Sequence, residues 1–170
     1  MVANHHRLVW RSLRRFGVSE SDADDASQQV FLVAHRRLAD IAPRSERSFL
    51  LQTALRVASD FRRSRERRRE EDGQDLPALA DTAASAEELL DRRRARAILD
   101  RVLAAMPMDL RTVFVLFEIE ELTMAEIATV IEIPAGTVAS RLRRARELFR
   151  QAVSHMSVAG SARHDSGGTP

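Results

Sequence analysis

The sequence predicts an all-α fold of two small helical domains joined by a flexible acidic linker, with a helix-turn-helix in the C-terminal domain. Three observations predict it. Apolar residues recur at helical spacing along nearly the whole chain, without strand-type alternation. That periodicity fails between Glu70 and Ala84, where acidic and small residues, Gly73 and Pro77 dominate. The charge also changes sign twice along the chain. Residues 1–65 hold 12 Arg against 7 acids, residues 66–91 hold 3 against 9, and residues 92–155 hold 11 against 8. The expected domains are therefore 1–69 and 85–155, with the linker at 70–84 and a disordered tail at 156–170.

Each element has its own justification. A first helix carries Leu8, Val9, Leu13 and Phe16 and stops at Gly17. A second, from about Asp22 to Leu38, places Ala23, Ala26, Val30, Val33 and Ala34 on one stripe. Pro43 breaks the chain. A third helix starts near Ser45, buries Leu50, Ala54, Val57, Ala58 and Phe61, and runs into an Arg cluster from Arg62 to Arg69. After the linker, Ser85 and Glu88 make a capping box, which satisfies two backbone donors at a helix start. That helix runs through Ile98, Leu99, Val102 and Leu103 and ends before Pro107. The next repeats Leu110, Val113, Phe114 and Phe117.

A second capping box, Thr123 with Glu126, opens a short helix with Met124, Ile127, Ala128 and Ile131 inward. A turn follows at Glu132 and Ile133, and Pro134 supplies the fixed φ that suits a helix start. The last helix turns Val138, Leu142, Ala145, Phe149 and Val153 to the core. Thr137, Ser140, Arg141 and Arg144 then share an arc of roughly 100° on the adjoining face. Small hydroxyl residues permit close approach to a major groove, and Arg forks onto phosphate or guanine. The same pattern also fits an ordinary helical hairpin with a solvated Arg face.

Composition narrows the function classes. All 27 basic residues are Arg, which stay charged at any working pH. Two basic bodies joined by an acidic strip is the pattern of a nucleic-acid binder, and charge alone fits two solvated helical surfaces as well. With no Cys, disulfides and thiolate metal sites are excluded, which suits a reducing cytoplasm. The longest apolar run, Val113 to Phe117, is too short to span a bilayer, and MVANHHRLVW lacks a signal-peptide core. A cytoplasmic protein without a membrane partner is expected. No Gly-rich phosphate loop or HExxH spacing appears, and the five histidines are scattered. No carboxylates form an isolated acid–base pair, since most fall on polar helix faces or in the linker. Neither an enzyme nor a cofactor or metal is expected.

Three stretches resemble the extracytoplasmic-function (ECF) type of bacterial RNA polymerase sigma factor, over roughly residues 7–69 and 95–150. DADDASQQVFLVAHRRL, from Asp22, resembles the family's polymerase-binding helix in region two. ERSFLLQTALRVASDFRR, from Glu46, resembles its helix for promoter melting and minus-ten reading. The long stretch from Leu99, including TMAEIA and IPAGTVASRLRRAR, resembles its region-four helix-turn-helix. The resemblance implies that Asp24, Asp25, Gln28 and Phe31 engage core RNA polymerase. It places Arg56, Asp60, Arg62 and Arg63 against minus-ten promoter DNA, and the loop from Ala39 to Ser48 at a flipped base. Thr137, Ser140, Arg141 and Arg144 match the minus-thirty-five reader, and an anti-sigma factor is a further implied partner. Four positions depart from the pattern: Phe49 stands where Trp is common, Arg56 where Asn is, Glu132 where the turn usually has Gly, and Ala139 where Lys is frequent. The rival reading is a helix-turn-helix regulator acting without polymerase, which leaves the N-terminal helices unexplained.

Limited proteolysis of the full chain is expected to cut first between Glu70 and Ala84. Recovery of one indivisible core spanning that stretch contradicts the two-domain reading.

Overall fold

The computed structural model describes residues 2–42, 45–72 and 87–164, and every regular element among them is helical. Helices α1 (Val2–Arg15), α2 (Glu20–Arg36) and α3 (Glu46–Asp72) form the N-terminal unit, with a short 3-10 turn at Leu38–Asp40. Helices α4 (Glu87–Ala105), α5 (Met108–Phe114), α6 (Met124–Ile131) and α7 (Ala135–His164) form the second.

Gly17 ends α1 as its spacing predicts. Its φ is +97°, and its N–H donates to Arg14 O while the Val18 N–H reaches Leu13 O. This is a Schellman closure, which needs a residue at ease in left-handed space. A Cβ here would also stand 3.2 Å from Cδ of Arg62. The chain then reverses into α2, whose buried stripe is made of small residues, Ala23, Ala26, Ser27, Val30 and Ala34. That stripe lets α2 lie close against Leu13 of the first helix, Phe16 just past its end, and Leu50, Leu51, Ala54 and Ala58 of the third. Ser27 Oγ donates to the Ala23 carbonyl at 2.7 Å, so its burial leaves no hydroxyl unmet.

Met124 and Val153, expected inward, are more than one-third exposed, and so is Val33. At about 100° per residue it lies roughly 75° from the centre of the buried stripe, at its edge. The third helix runs to Asp72, three residues past the expected boundary, because no Pro or Gly interrupts it. The last helix likewise continues to His164, where a disordered tail was expected from 156. Gly160 is the only breaker on that path, and one glycine costs a helix only about 1 kcal/mol relative to Ala. The expected linker core, Ser85 of the first capping box, and residues 165–170 lie outside the described residues.

In the second unit, α5 widens into a five-residue π turn over Val115–Ile119. Leu103, Leu110, Val113, Phe114, Leu116, Ile127, Val138, Leu142 and Ala145 close its core, and Phe149 stacks on Phe114 at 4.9 Å. The two units share one continuous apolar cluster.

Their seam is pinned by a buried carboxylate. Glu120 is 3% exposed and follows the π turn. Its Oε1 accepts from Ser12 Oγ at 3.2 Å and from Arg15 Nη1 at 3.1 Å, and its Oε2 accepts from Arg47 Nη2 at 3.1 Å. Burial is the larger influence on Arg15 and lowers its pKa, while Glu120 opposes that shift. Glu120 is a buried exception to the expectation that most carboxylates lie on polar faces or in the linker. It sits four residues after the buried Leu116, at the C-cap of the π turn.

Glu120→Ala leaves two guanidinium groups facing each other without an anion. A broken buried pair costs about 3–5 kcal/mol, and the partial exposure of Arg47 puts this case near the lower end. Denaturant unfolding of the full chain is expected to show a loss of about 3 kcal/mol. A loss below about 0.5 kcal/mol, the size expected of a surface contact, contradicts the seam's role.

Candidate nucleic-acid and polymerase interface

The helix-turn-helix is built from local contacts that its sequence specifies. Thr123 Oγ accepts from the Glu126 N–H at 3.3 Å, and the Glu126 carboxylate accepts from the Thr123 N–H at 2.8 Å. Both halves of the capping box therefore form. Hydrogen bonds from the Thr123 backbone first, then its hydroxyl, hold the Glu126 carboxyl below the usual carboxylate range. Glu132 ends α6 in the left-handed region (φ 57°, ψ 43°), and the Ile133 N–H returns to Ala128 O at 3.1 Å. A residue with a Cβ pays about 1 kcal/mol there, where glycine would not. The Pro134 carbonyl then accepts from the Thr137 and Val138 N–H groups at 2.9 and 3.1 Å, starting α7.

On α7 the four expected readers stand together on the outer face. Ser140 and Arg144 are exposed, and Thr137 and Arg141 are half-buried. Ser140 Oγ donates to Thr137 O at 3.0 Å. Arg141 Nε lies 3.5 Å from Asp109 Oδ2, so a carboxylate from α5 orients its fork. A recess lined by Asp109, Leu110, Ser140, Arg141, Arg143, Arg144 and Glu147 runs along this face. Arg143 is an exposed cation that the sequence reading missed, although its position beside Arg144 was the signal. Arg146 belongs elsewhere, bound to Glu118 at 2.6 Å and lying over the Phe117 ring at 5.1 Å.

The minus-ten set divides. Arg56, Asp60 and Arg63 are exposed at intervals of four and three along α3, and Arg63 pairs with Asp60. Arg62 faces the seam instead. Its side chain packs against Gly17, where Arg111 from α5 also arrives. Arg111 donates to the Arg14 carbonyl at 3.4 Å, and its buried Nε has no partner among the described residues. Burial first, then the neighbouring charges of Arg62 and Arg14, lower the Arg111 pKa to about 10, against an opposing pull from Asp100. Arg56 is engaged as well. Its Nη2 lies 2.6 Å from Glu132 Oε1, which also accepts from Gln52 Nε2 at 3.4 Å. Of the expected base-capture loop, Glu46–Ser48 already belong to α3, and Pro43 and Arg44 lie outside the described residues.

On α2, Asp24, Asp25, Gln28 and Phe31 span an arc of about 120° away from the buried stripe. The first three are exposed. Asp24 accepts from Trp10 Nε1 at 3.0 Å, and Phe31 stacks on His6 with ring centroids 6.2 Å apart. Helix α1 thus buttresses this face. Leu32 (48% exposed) extends it with apolar surface that the sequence reading left out.

A helical protein presenting hydroxyls and guanidiniums from a helix-turn-helix, beside a second helical unit with an exposed mixed face, belongs to the class of multidomain DNA-binding regulators. Comparison with known proteins makes this specific. Residues 1–68 match the family model for Sigma-70 region 2, and residues 96–149 match that for Sigma-70, region 4. The RNA polymerase sigma-H factor of Pseudomonas aeruginosa is 31% identical over 165 residues, covering 90% of this chain and 84% of that protein. The ECF RNA polymerase sigma-E factor of Haemophilus influenzae is 29% identical over 165 residues, covering 90% and 85%. In fold, the chain resembles the sigma factor RpoE from Bartonella quintana, solved in complex with the anti-sigma factor NepR. The TM-score is 0.70 at 19% identity, over 91% of this chain and 98% of that one. It also resembles CnrH, solved in complex with the cytosolic domain of CnrY, with a TM-score of 0.66 at 24% identity over 91% and 85%.

The chain therefore belongs to the RNA polymerase sigma factors of the ECF type. It directs promoter-specific transcription initiation through core RNA polymerase, and the reading as a regulator independent of polymerase is not favoured. Sigma factors are regulatory rather than catalytic proteins. No helix among the described residues is long and apolar enough to cross a membrane.

Proposed function

We propose a division of labour among three faces. The outer face of α2, through Asp24, Asp25, Gln28 and Phe31, binds core polymerase. Arg56, Asp60, Arg62 and Arg63 on α3 serve the minus-ten element, and Thr137, Ser140, Arg141 and Arg144 on α7 read the minus-thirty-five element. The boundaries 1–69, 70–84, 85–155 and 156–170 remain the functional division, with α3 and α7 running past two of them. The protein acts in the cytoplasm without catalysis of its own. An anti-sigma factor is a fitting further partner, since RpoE and CnrH were both solved with protein partners and RpoE's is named as an anti-sigma factor.

The observation that carries this reading is the grouping of the four α7 readers on one outward face of a well-capped helix-turn-helix. Arg62 is the weakest member of the set, because in this arrangement it packs at the seam.

The polymerase face has a direct test. Phe31 is a half-buried aromatic of the kind that often costs about 2 kcal/mol or more when truncated at an interface. Gln28→Ala combined with Phe31→Ala is expected to weaken binding to core polymerase by about tenfold or more, with helical circular dichroism unchanged. Unaltered binding by the folded double variant removes this face from the assignment.

The DNA face separates two kinds of Arg. Arg141 is oriented by Asp109 one turn after Thr137, which favours a base edge. Its replacement by Ala is expected to relax preference at one base pair by about 1–3 kcal/mol. Arg144 is exposed a turn further on, where backbone is the nearer partner. Arg144→Ala is expected to weaken all sequences alike and lower the salt slope by about 1. Titrations of single-base promoter variants at two salt concentrations measure both, and no change in either variant removes α7 from the assignment.

A further inference from the structure

Two of this chain's departures from its family's pattern meet in space. Arg56 stands on α3 where Asn is common, and Glu132 stands in the helix-turn-helix turn where Gly is usual. The structure pairs them at 2.6 Å, 76 residues apart in sequence, and Gln52 reaches the same carboxylate oxygen. Glu132 does no other side-chain work among the described residues. Its side-chain hydrogen bonds run to Gln52 and Arg56 of α3, and the turn it occupies is one that glycine takes without strain. Arg56 likewise has no other ion pair among the described residues. Both side chains are about two-thirds exposed, so water, salt or a phosphate reaches the pair without the domains having to unfold.

We propose that Glu132 is an internal competitor for the DNA-facing Arg56. Its carboxylate occupies in the free protein the guanidinium that promoter DNA takes in the transcribing complex. The proposal rests on reading Arg56 as a minus-ten contact and adds how that contact is regulated. The buried Glu120 clamp holds the two units together, and the exposed Glu132 pair sits over the reader. The two carboxylates differ in kind. A clamp with 3% exposure resists competition, whereas a surface pair exchanges readily and weakens with salt. Glu132 therefore screens Arg56 without locking it, and DNA displaces the carboxylate by offering a phosphate in its place.

The test uses the full chain without polymerase. The probe is a fluorescein-labelled single-stranded DNA of about 30 random nucleotides, which reports backbone contacts independently of promoter sequence. Five proteins are compared at low salt: the parent, Glu132→Gly, Arg56→Asn, the double variant, and Glu132→Gln as a control that keeps side-chain length. Glycine accepts the left-handed turn, so Glu132→Gly is expected to fold, which circular dichroism checks. Removing the Glu132 carboxylate is expected to tighten DNA binding about two- to fivefold, the scale of an exposed pair. The gain is expected to shrink as salt rises and to vanish when Arg56 is Asn. Equal tightening with and without Arg56 means that only net charge changed, and overturns the competition. No tightening, with Arg56→Asn still weakening the Glu132→Gly protein, overturns it too while leaving Arg56 as a DNA contact. If Arg56→Asn changes nothing in either background, the minus-ten reading of Arg56 fails and the proposal falls with it.

Discussion

A single buried carboxylate decides how the two halves of this protein meet. Apolar burial drives the halves together but is non-directional, so many docked arrangements would hide a similar area. Glu120 removes that freedom. It is satisfied only where Ser12 and Arg15 from α1 and Arg47 from α3 converge on it. Any slip between the units strands a charge away from water, which costs several kcal/mol. The price of specificity is the desolvation of Arg15, whose pKa burial lowers. The same placement brings the helix-turn-helix turn onto α3 and the Arg111 guanidinium beside Arg62.

Features fixed by neighbours in sequence were legible in advance. The Thr123–Glu126 box, the Gly17 stop, the Pro134 start and the inward face of α7 from Val138 to Phe149 all depend on residues within about one turn. The grouping of Thr137, Ser140, Arg141 and Arg144 followed from periodicity alone. What stayed hidden depends on partners far along the chain. Glu120 meets Ser12 across 108 residues and Arg47 across 73. In sequence it reads as one acid among several in EIEEL, and only its four-residue step from Leu116 hints at burial. Arg62 and Arg63 are indistinguishable in a run of Arg, yet one packs at the seam and the other faces solvent. Val33 shows the smaller error, a residue at the edge of a stripe whose width periodicity does not set.

The exclusive use of Arg shapes the chemistry of every surface described. A guanidinium stays charged even where burial works against it, so Arg111 remains a cation with a pKa lowered only to about 10. Arg forks also serve two purposes in this fold. At the seam they meet a carboxylate and hold position, and on α7 they face solvent where a phosphate or guanine edge fits the same geometry. Exposure separates the two roles. The buried contacts organise the protein, and the exposed ones remain available for exchange with DNA.

The most direct measurement of the account is run-off transcription in vitro, with core RNA polymerase and genomic fragments, in the presence and absence of the purified chain. New transcripts with discrete start sites are expected only when the chain is added, and mapping those starts should reveal two upstream sequence elements common to them. The Gln28→Ala, Phe31→Ala double variant is expected to suppress these transcripts. Discrete DNA binding with no chain-dependent transcripts would contradict the assignment and return the protein to the regulators that act without polymerase.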